Sequence, residues 1–364
     1  MKIAMIAAIN HPISRPFHGG LEAHTWQVAK ELISRGHDVT IYASGDSDPE
    51  LPIVPIVPTA LFKNKNYQAA DGKTIKAKFY RHIRNIASNR AYARAIAHIR
   101  NGGFDVVHNN AIAQKPLVDA RKCGIPFVTV LHTVMFREMY KGVARAATYS
   151  NCRFIAISQF ISGIWSKLTP SVVVHNGIHT ADWAFSDTAI PNTAIWFGRI
   201  TRVKAPHTAI RAAIQAGVAL DIYGGIDDQA YFDAQIAPLL ADSRVQYHGL
   251  LDHAALSQKI GAASVMLHTP MIDEPFGYIF VESLACGTPV VGFAAGAAPE
   301  IVDEKTGVLV SKGDDDATVQ ALARGIVAAS RLSRPDCRAR AQVFQTSAMI
   351  EGYEKVYRDA INSL

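Results

Sequence analysis

The run Tyr278–Ala285 is apolar except at Glu282 and Ser283, and its punctuation dictates a loop, a short buried helix, a sharp stop and a buried strand. Pro275 and Gly277 keep the approach irregular and let backbone come close to a ligand. Gly287 closes the helix, Pro289 forbids its continuation, and Pro289–Phe293 follows as an apolar strand. Two carboxylates bracket the helix, Glu274 just before its first turn and Glu282 near its last. A carboxylate within so oily a run is costly unless something pairs with it. A backbone group or an arginine could serve, and so could the hydroxyls of a bound polyol, with the amides at the helix start meeting an anion or a sugar oxygen.

The same strand–turn–helix alternation recurs along the chain. Lys2–Ala8 reads as a buried strand, the loop His11 to Gly20 ends in a glycine pair, Leu21–Ser34 has helical periodicity, and Val39–Ala43 is the next strand. The glycine pair Gly19-Gly20 either lets helix pack on sheet or forms a backbone cradle for phosphate or sugar. The stretch 48–58 is proline-rich and reads as surface. Asp105–His108, Phe127–Leu131 and Phe154–Ile157 read as strands, the last followed by Ser158 as a helix cap. His132 follows directly on Phe127–Leu131, at the strand end where parallel sheets bind ligands, although a lone histidine there also serves structure. Further on, Ala194–Phe197, Ala219–Tyr223, Val245–His248, Val265–Leu267, Pro289–Phe293 and Val308–Val310 read as strands. Arg199 and Lys204 lie between the first of these and the helix opened by Pro206, where two cations would neutralise a diphosphate or simply face water.

A chain of 364 residues is too long for one ordinary core, so two domains are expected. The four cysteines, Cys123, Cys152, Cys286 and Cys337, form no metal or redox pattern and fit a reducing cytoplasm. No apolar run is long enough to cross a bilayer, and the short run Ile3 to Ile9 reads as a first strand rather than a leader. The net charge of +6 favours anionic partners, while no nucleic-acid-binding module is recognisable. The basic stretch 63–100 carries Lys63, Lys65, Lys73, Lys76, Lys78, Arg81, Arg84, Arg90, Arg94 and Arg100. It becomes helical from about Lys78, with Phe79, Ile83, Ile86, Tyr92, Ile96 and Ile99 expected to face inward. Such a run is either a solvated face or a contact for anionic lipid or an anionic acceptor.

Glu274-x7-Glu282, with Ala285-Cys286-Gly287-Thr288-Pro289-Val290-Val291 and then Gly296-Ala-Ala-Pro-Glu300-Ile-Val, closely resembles the donor-site signature of retaining glycosyltransferases of family 4. Gly19-Gly20-Leu21-Glu22 and Gly198-Arg199-Ile200-x3-Lys204 are similar to that family's N-terminal loop and diphosphate clamp. Asn176-Gly177-Ile178 resembles its interdomain junction, with His179 in place of the usual Asp. The resemblance implies the GT-B fold, two Rossmann-like domains facing across a cleft. Residues 1–176 would be the acceptor-side domain, with the helix 346–364 packing back on it, and 177–345 the nucleotide-sugar domain.

It implies transfer of a hexose from a nucleoside-diphosphate sugar to an acceptor hydroxyl by a front-face route, with retention and without a covalent enzyme nucleophile. UDP-glucose is favoured and GDP-mannose remains open. His132, Arg199, Lys204 and Glu274 would be catalytic. The donor would meet Gly19, Gly20, Tyr223, Gly249, Leu250 and the segment Phe276, Gly277, Tyr278 and Ile279, with Glu282 on the ribose. No cofactor or metal is expected. The acceptor is open, with anionic and lipid-linked molecules as candidates, and the basic stretch could place the protein peripherally on a membrane. Competing readings are an epimerase or phosphorylase of the same fold and a non-catalytic sugar-binding protein. A dehydrogenase is disfavoured by the incomplete Gly-x-Gly-x-x-Gly after the first strand.

Overall fold

The structure, a computed structural model, describes residues 1–63 and 75–364. Two compact units divide the chain, Met1–Asn176 together with Thr346–Leu364, and Gly177–Gln345. Each is built on one parallel sheet, whose strands read as unbroken apolar runs because helices cover both faces.

The first unit holds a seven-stranded sheet in the order β3-β2-β1-β4-β5-β6-β7. Its strands are β1 (Lys2–Ile6), β2 (Asp38–Ser44), β3 (Ile53–Val57), β4 (Val106–Asn109), β5 (Phe127–Leu131), β6 (Cys152–Ala156) and β7 (Val172–Val173). Its helices are α1 (Gly20–Ser34), α2 (Ile75–Arg100), α3 (Gln114–Asp119), α4 (Arg137–Ala146) and α5 (Gln159–Trp165). The strand order reverses between β1 and β4, which makes the carboxyl ends of those strands the natural ligand crevice. The Ser158 hydroxyl caps α5, accepting from the Ile161 amide at 3.1 Å.

Three expectations are corrected in this unit. The proline-rich stretch 48–58 contains β3, which pairs in parallel with β2; Pro55 is tolerated because β3 is an edge strand. Helix α2 begins at Ile75, before the expected Lys78, and two of its expected inward residues are exposed, Phe79 at 61% and Ile86 at 38%, whereas Ile83 is half-buried and Tyr92, Ile96 and Ile99 are buried. Of the basic stretch, Lys65, Lys73 and the side chain of Lys76 fall outside the described residues.

The second unit holds a six-stranded sheet in the order β10-β9-β8-β11-β12-β13. The strands are β8 (Thr193–Phe197), β9 (Ala219–Tyr223), β10 (Val245–Gly249), β11 (Val265–His268), β12 (Val290–Phe293) and β13 (Gly307–Val310). Its helices are α6 (Pro206–Ala216), α7 (His253–Ala262), α8 (Tyr278–Ala285), α9 (Ala298–Ile301), α10 (Asp316–Ala329) and α11 (Arg334–Gln342). Trp196, Ile210, Leu220, Val265, Leu322 and Ile326 are among the buried side chains that knit sheet to helices. Here the order reverses between β8 and β11. At the ends of β8 and β9 two turns nearly touch: a Cβ on Gly224 would lie 1.8 Å from the Gly198 carbonyl oxygen, so only glycine fits.

The final helix, α12 (Thr346–Asn362), returns to the first unit and buries Met349, Ile350, Tyr353, Val356 and Tyr357. Among the described residues no helix is long and apolar enough to cross a membrane.

Candidate active site

Lys204 and Glu274 meet at the reversal point of the second sheet. The loop after β8 carries Lys204, and the loop after β11 carries Glu274. The Lys204 ammonium is paired with Glu274 Oε1, with side chains 22% and 14% exposed. His268, the last residue of β11, lies behind them with its Nε2 3.6 Å from the same oxygen. Burial pushes the Glu274 carboxyl up, but His268 and Lys204 outweigh it and hold it down at about 2.

The main chain of Glu274 is clamped by the loop after β12. The Ala297 amide donates to its carbonyl at 3.0 Å. A Cβ on Gly296, whose φ is +60°, would fall 2.4 Å from that oxygen. Lys204 itself precedes Ala205, which is held in left-handed backbone at φ 45° as the turn enters α6.

Helix α8 starts at Gly277, also left-handed at φ 83°, where a Cβ would strike the Phe280 ring at 2.7 Å. No side chain caps α8. Phe276 is buried against Phe344, so its side chain is taken up by packing, while Tyr278 and Ile279 are half-buried. Glu282, on the fifth residue of α8, is half-buried, and its side chain has no hydrogen bond or ion pair among the described residues. The surrounding protein pushes that carboxyl up to about 7. It is not tied to a backbone group or an arginine.

Arg199 stands apart from this group. Its side chain is 66% exposed and 3.2 Å from Asp227, at the end of β8. Tyr223 is buried with its ring stacked on His248 at 4.8 Å, so its side chain is largely taken up by packing. Gly249 closes β10 with its carbonyl accepting from Gly224 at 2.8 Å, and Leu250 beside it is 77% exposed.

In the first unit, Gly19 and Gly20 are exposed at the start of α1, where no side chain caps the helix. Glu22 in the first turn is buried, and its carboxyl is raised by that burial. His132 follows β5, with Nε2 2.8 Å from Asn110 Oδ1 and its ring edge-on to His24 at 4.9 Å. His24 and His108 are buried beneath α12, contacting the hydroxyls of Tyr353 and Tyr357.

Burial, reinforced by the neighbouring rings, holds the His24 imidazole well below its ordinary value and His132 at about 3; burial, partly offset by Asn110, puts His108 at about 4. The unfolded chain protonates His108 and His132 near 6.5 and the folded one only near 4 and 3, so stability is full above 6.5 and drains as pH falls through that window, with His24 acting in the same direction. Chemical denaturation should lose more than about 2 kcal/mol between pH 6.5 and 5, since each imidazole contributes about 1.4 kcal/mol per pH unit there. A flat profile would mean the rings are open to water.

His24, His108, Asn110, His268 and Asp227 were missed as site residues by sequence reasoning, and Gly296 was read only as part of the donor-site signature, without its clamp on Glu274. His268 carried the same strand-end signal as His132, whereas the others depend on partners far away in the chain. Among the described residues no group of three or more His, Cys, Asp or Glu side chains could hold a metal ion.

Two family models match the chain, Glycosyltransferase Family 4 over residues 18–182 and Glycosyl transferases group 1 over residues 186–340. The D-inositol 3-phosphate glycosyltransferase of Mycolicibacterium vanbaalenii is 26% identical, covering 86% of this chain and 80% of its own. That of Mycolicibacterium smegmatis is 24% identical over 98% of this chain and 92% of its own. Among solved structures, sucrose-phosphate synthase from Thermosynechococcus elongatus superposes with a TM-score of 0.76 at 19% identity, covering 100% of both chains. Anabaena HepE in complex with UDP-glucose superposes with a TM-score of 0.69 at 20% identity, again over 100% of both.

Proposed function

Because this chain belongs to glycosyltransferase family 4 and is a transferase of the GT-B fold, we propose that it moves a hexose from a nucleoside-diphosphate sugar to an acceptor hydroxyl with retention of configuration. The observation that carries the reading is the Glu282 carboxylate, half-buried in an apolar helix and without a side-chain partner among the described residues. A ribose diol supplies the missing hydrogen bonds.

Arg199 and Lys204 are assigned to the diphosphate, both in the loop that leaves β8 at the reversal point of the sheet. Glu274 and the backbone of Phe276, Gly277, Tyr278 and Ile279 are assigned to the sugar hydroxyls. The ends of β9 and β10, at Tyr223, Gly249 and Leu250, are assigned to the base. In the first unit, Gly19, Gly20 and His132 are assigned to the sugar and acceptor. As the anomeric C–O bond breaks, charge grows on the β-phosphate and the two cations stabilise it. The acceptor oxygen bonds to the anomeric carbon on the same face, and its proton passes to the departing phosphate oxygen. No enzyme nucleophile is consumed.

HepE, which binds UDP-glucose, supports UDP-glucose as donor, with GDP-mannose second. The inositol-phosphate relatives support an anionic acceptor. Helix α2, which has no acidic residue and exposes Phe79 and Ile86, supports an anionic membrane or lipid-linked acceptor as the surface it meets. The four thiols, all free, support a reducing cytoplasm.

A thermal-shift panel of UDP, GDP and ADP sugars tests the reading. One class should raise the melting temperature, because a ligand that binds only the folded state stabilises it. Product analysis with acceptor should show the α- or β-linkage of the donor retained. Donor conversion that needs no acceptor would indicate an epimerase, and consumption of free phosphate a phosphorylase.

A further inference from the structure

One buried group beside the site has no assigned work. His268 is 3% exposed, its Nε2 has no hydrogen-bond partner among the described residues, and it lies 3.6 Å from the oxygen of Glu274 that Lys204 already holds. Leaving a buried polar nitrogen unmatched is costly. The cost is avoided if the nitrogen is matched in another state of the site. Its surroundings are otherwise closed. The Phe280 ring lies edge-on at 4.8 Å, and the His268 carbonyl sits so close to Gly292 of β12 that a Cβ there would approach it to 2.6 Å. The charged groups that act on it are Glu274 and Lys204.

Lys204 cannot serve two masters with one geometry. Paired with Glu274 it neutralises the acid; turned to a diphosphate it leaves that acid buried. We propose that His268 is a positioning residue which takes over Glu274 when Lys204 turns to the donor diphosphate, drawing one proton from solvent, keeping it on the imidazole and donating a hydrogen bond from Nε2 to Oε1. Lys204 keeps its own protons and exchanges only its hydrogen-bond partner. Glu274 therefore stays ionised and fixed toward the sugar throughout. The direction follows from the free protein: burial and Lys204 hold the His268 imidazole down, and departure of Lys204 removes the second of these while Glu274 keeps raising it.

This rests on the donor reading above, and the test separates the two. Titration calorimetry at pH 7 with UDP-glucose and with GDP-mannose, in two buffers of different ionisation heat, reads protons taken up per ligand bound; the diester phosphates of both donors do not titrate there. The wild-type protein should take up close to one proton with the donor that binds. His268→Gln should still bind, several-fold more weakly and with no uptake, and Lys204→Met should show none because it has no pair to exchange. Binding by the wild-type protein without uptake overturns the inference and leaves the donor reading intact, whether or not either variant folds. Uptake that persists in His268→Gln also overturns it, because the proton would then reside on Glu274. Failure of both donors to bind overturns the donor reading and the inference with it.

Discussion

Glu282→Gln should make the protein more stable at pH 8 and worse at its task. The unfolded carboxyl gives up its proton near 4.5 and the folded one near 7. The folded state therefore binds more protons between those values, and stability falls as pH rises through them. Above pH 7 the ionised side chain costs the fold roughly 1–3 kcal/mol, the shift converted at 1.4 kcal/mol per unit and discounted for its open edge. A neutral amide removes that cost. Donor affinity should fall about 10- to 100-fold, the loss expected when a charged hydrogen-bond acceptor is replaced. Denaturation at pH 8 and donor titration on the same two proteins check both signs. If Glu282 served the fold, the glutamine variant would be the less stable one.

Lys204→Ala should fail on both counts. It leaves Glu274 mostly buried, met only by the His268 imidazole, whose own burial disfavours the charge it would need, and breaking such a pair costs about 3–5 kcal/mol when fully buried, so roughly 2–4 kcal/mol at this partial exposure. Turnover should drop about 100- to 1000-fold, the usual penalty for removing one group that meets charge developing in the transition state. The double variant Lys204→Ala/Glu274→Ala should recover much of the stability and none of the activity. Arg199→Ala gives the contrast: its exposed pair with Asp227 contributes about 0–1 kcal/mol, so activity should fall with stability nearly unchanged. Equal loss of stability in the Lys204 single and double variants would show the ion pair to be energetically idle.

These two experiments differ in how visible their targets were in the amino-acid order. Glu282 was legible because an acid in an oily helical run violates a local rule, and the apolar strands β1, β4, β5, β8 and β11 were legible because parallel strands buried on both faces leave no alternation to misread. The ion pair of Lys204 with Glu274 was not, since 70 residues separate the partners and only the strand order β8-β11 brings their loops together. Pro55 hid β3, because proline argues against a strand until its edge position is known. Phe79 and Ile86 have the spacing of inward residues, yet both are exposed, a decision made by what packs beside α2 and not by its own periodicity.

Helix α12 carries a consequence for how the polypeptide comes to life. Tyr353 and Tyr357 seal His24 and His108, so the unit containing Met1 depends on residues made after everything in Gly177–Gln345. On the ribosome, where domains fold as they emerge, the half that starts first finishes last. Until the closing turns arrive, its imidazoles stand wet and titratable, waiting on the tail of the message.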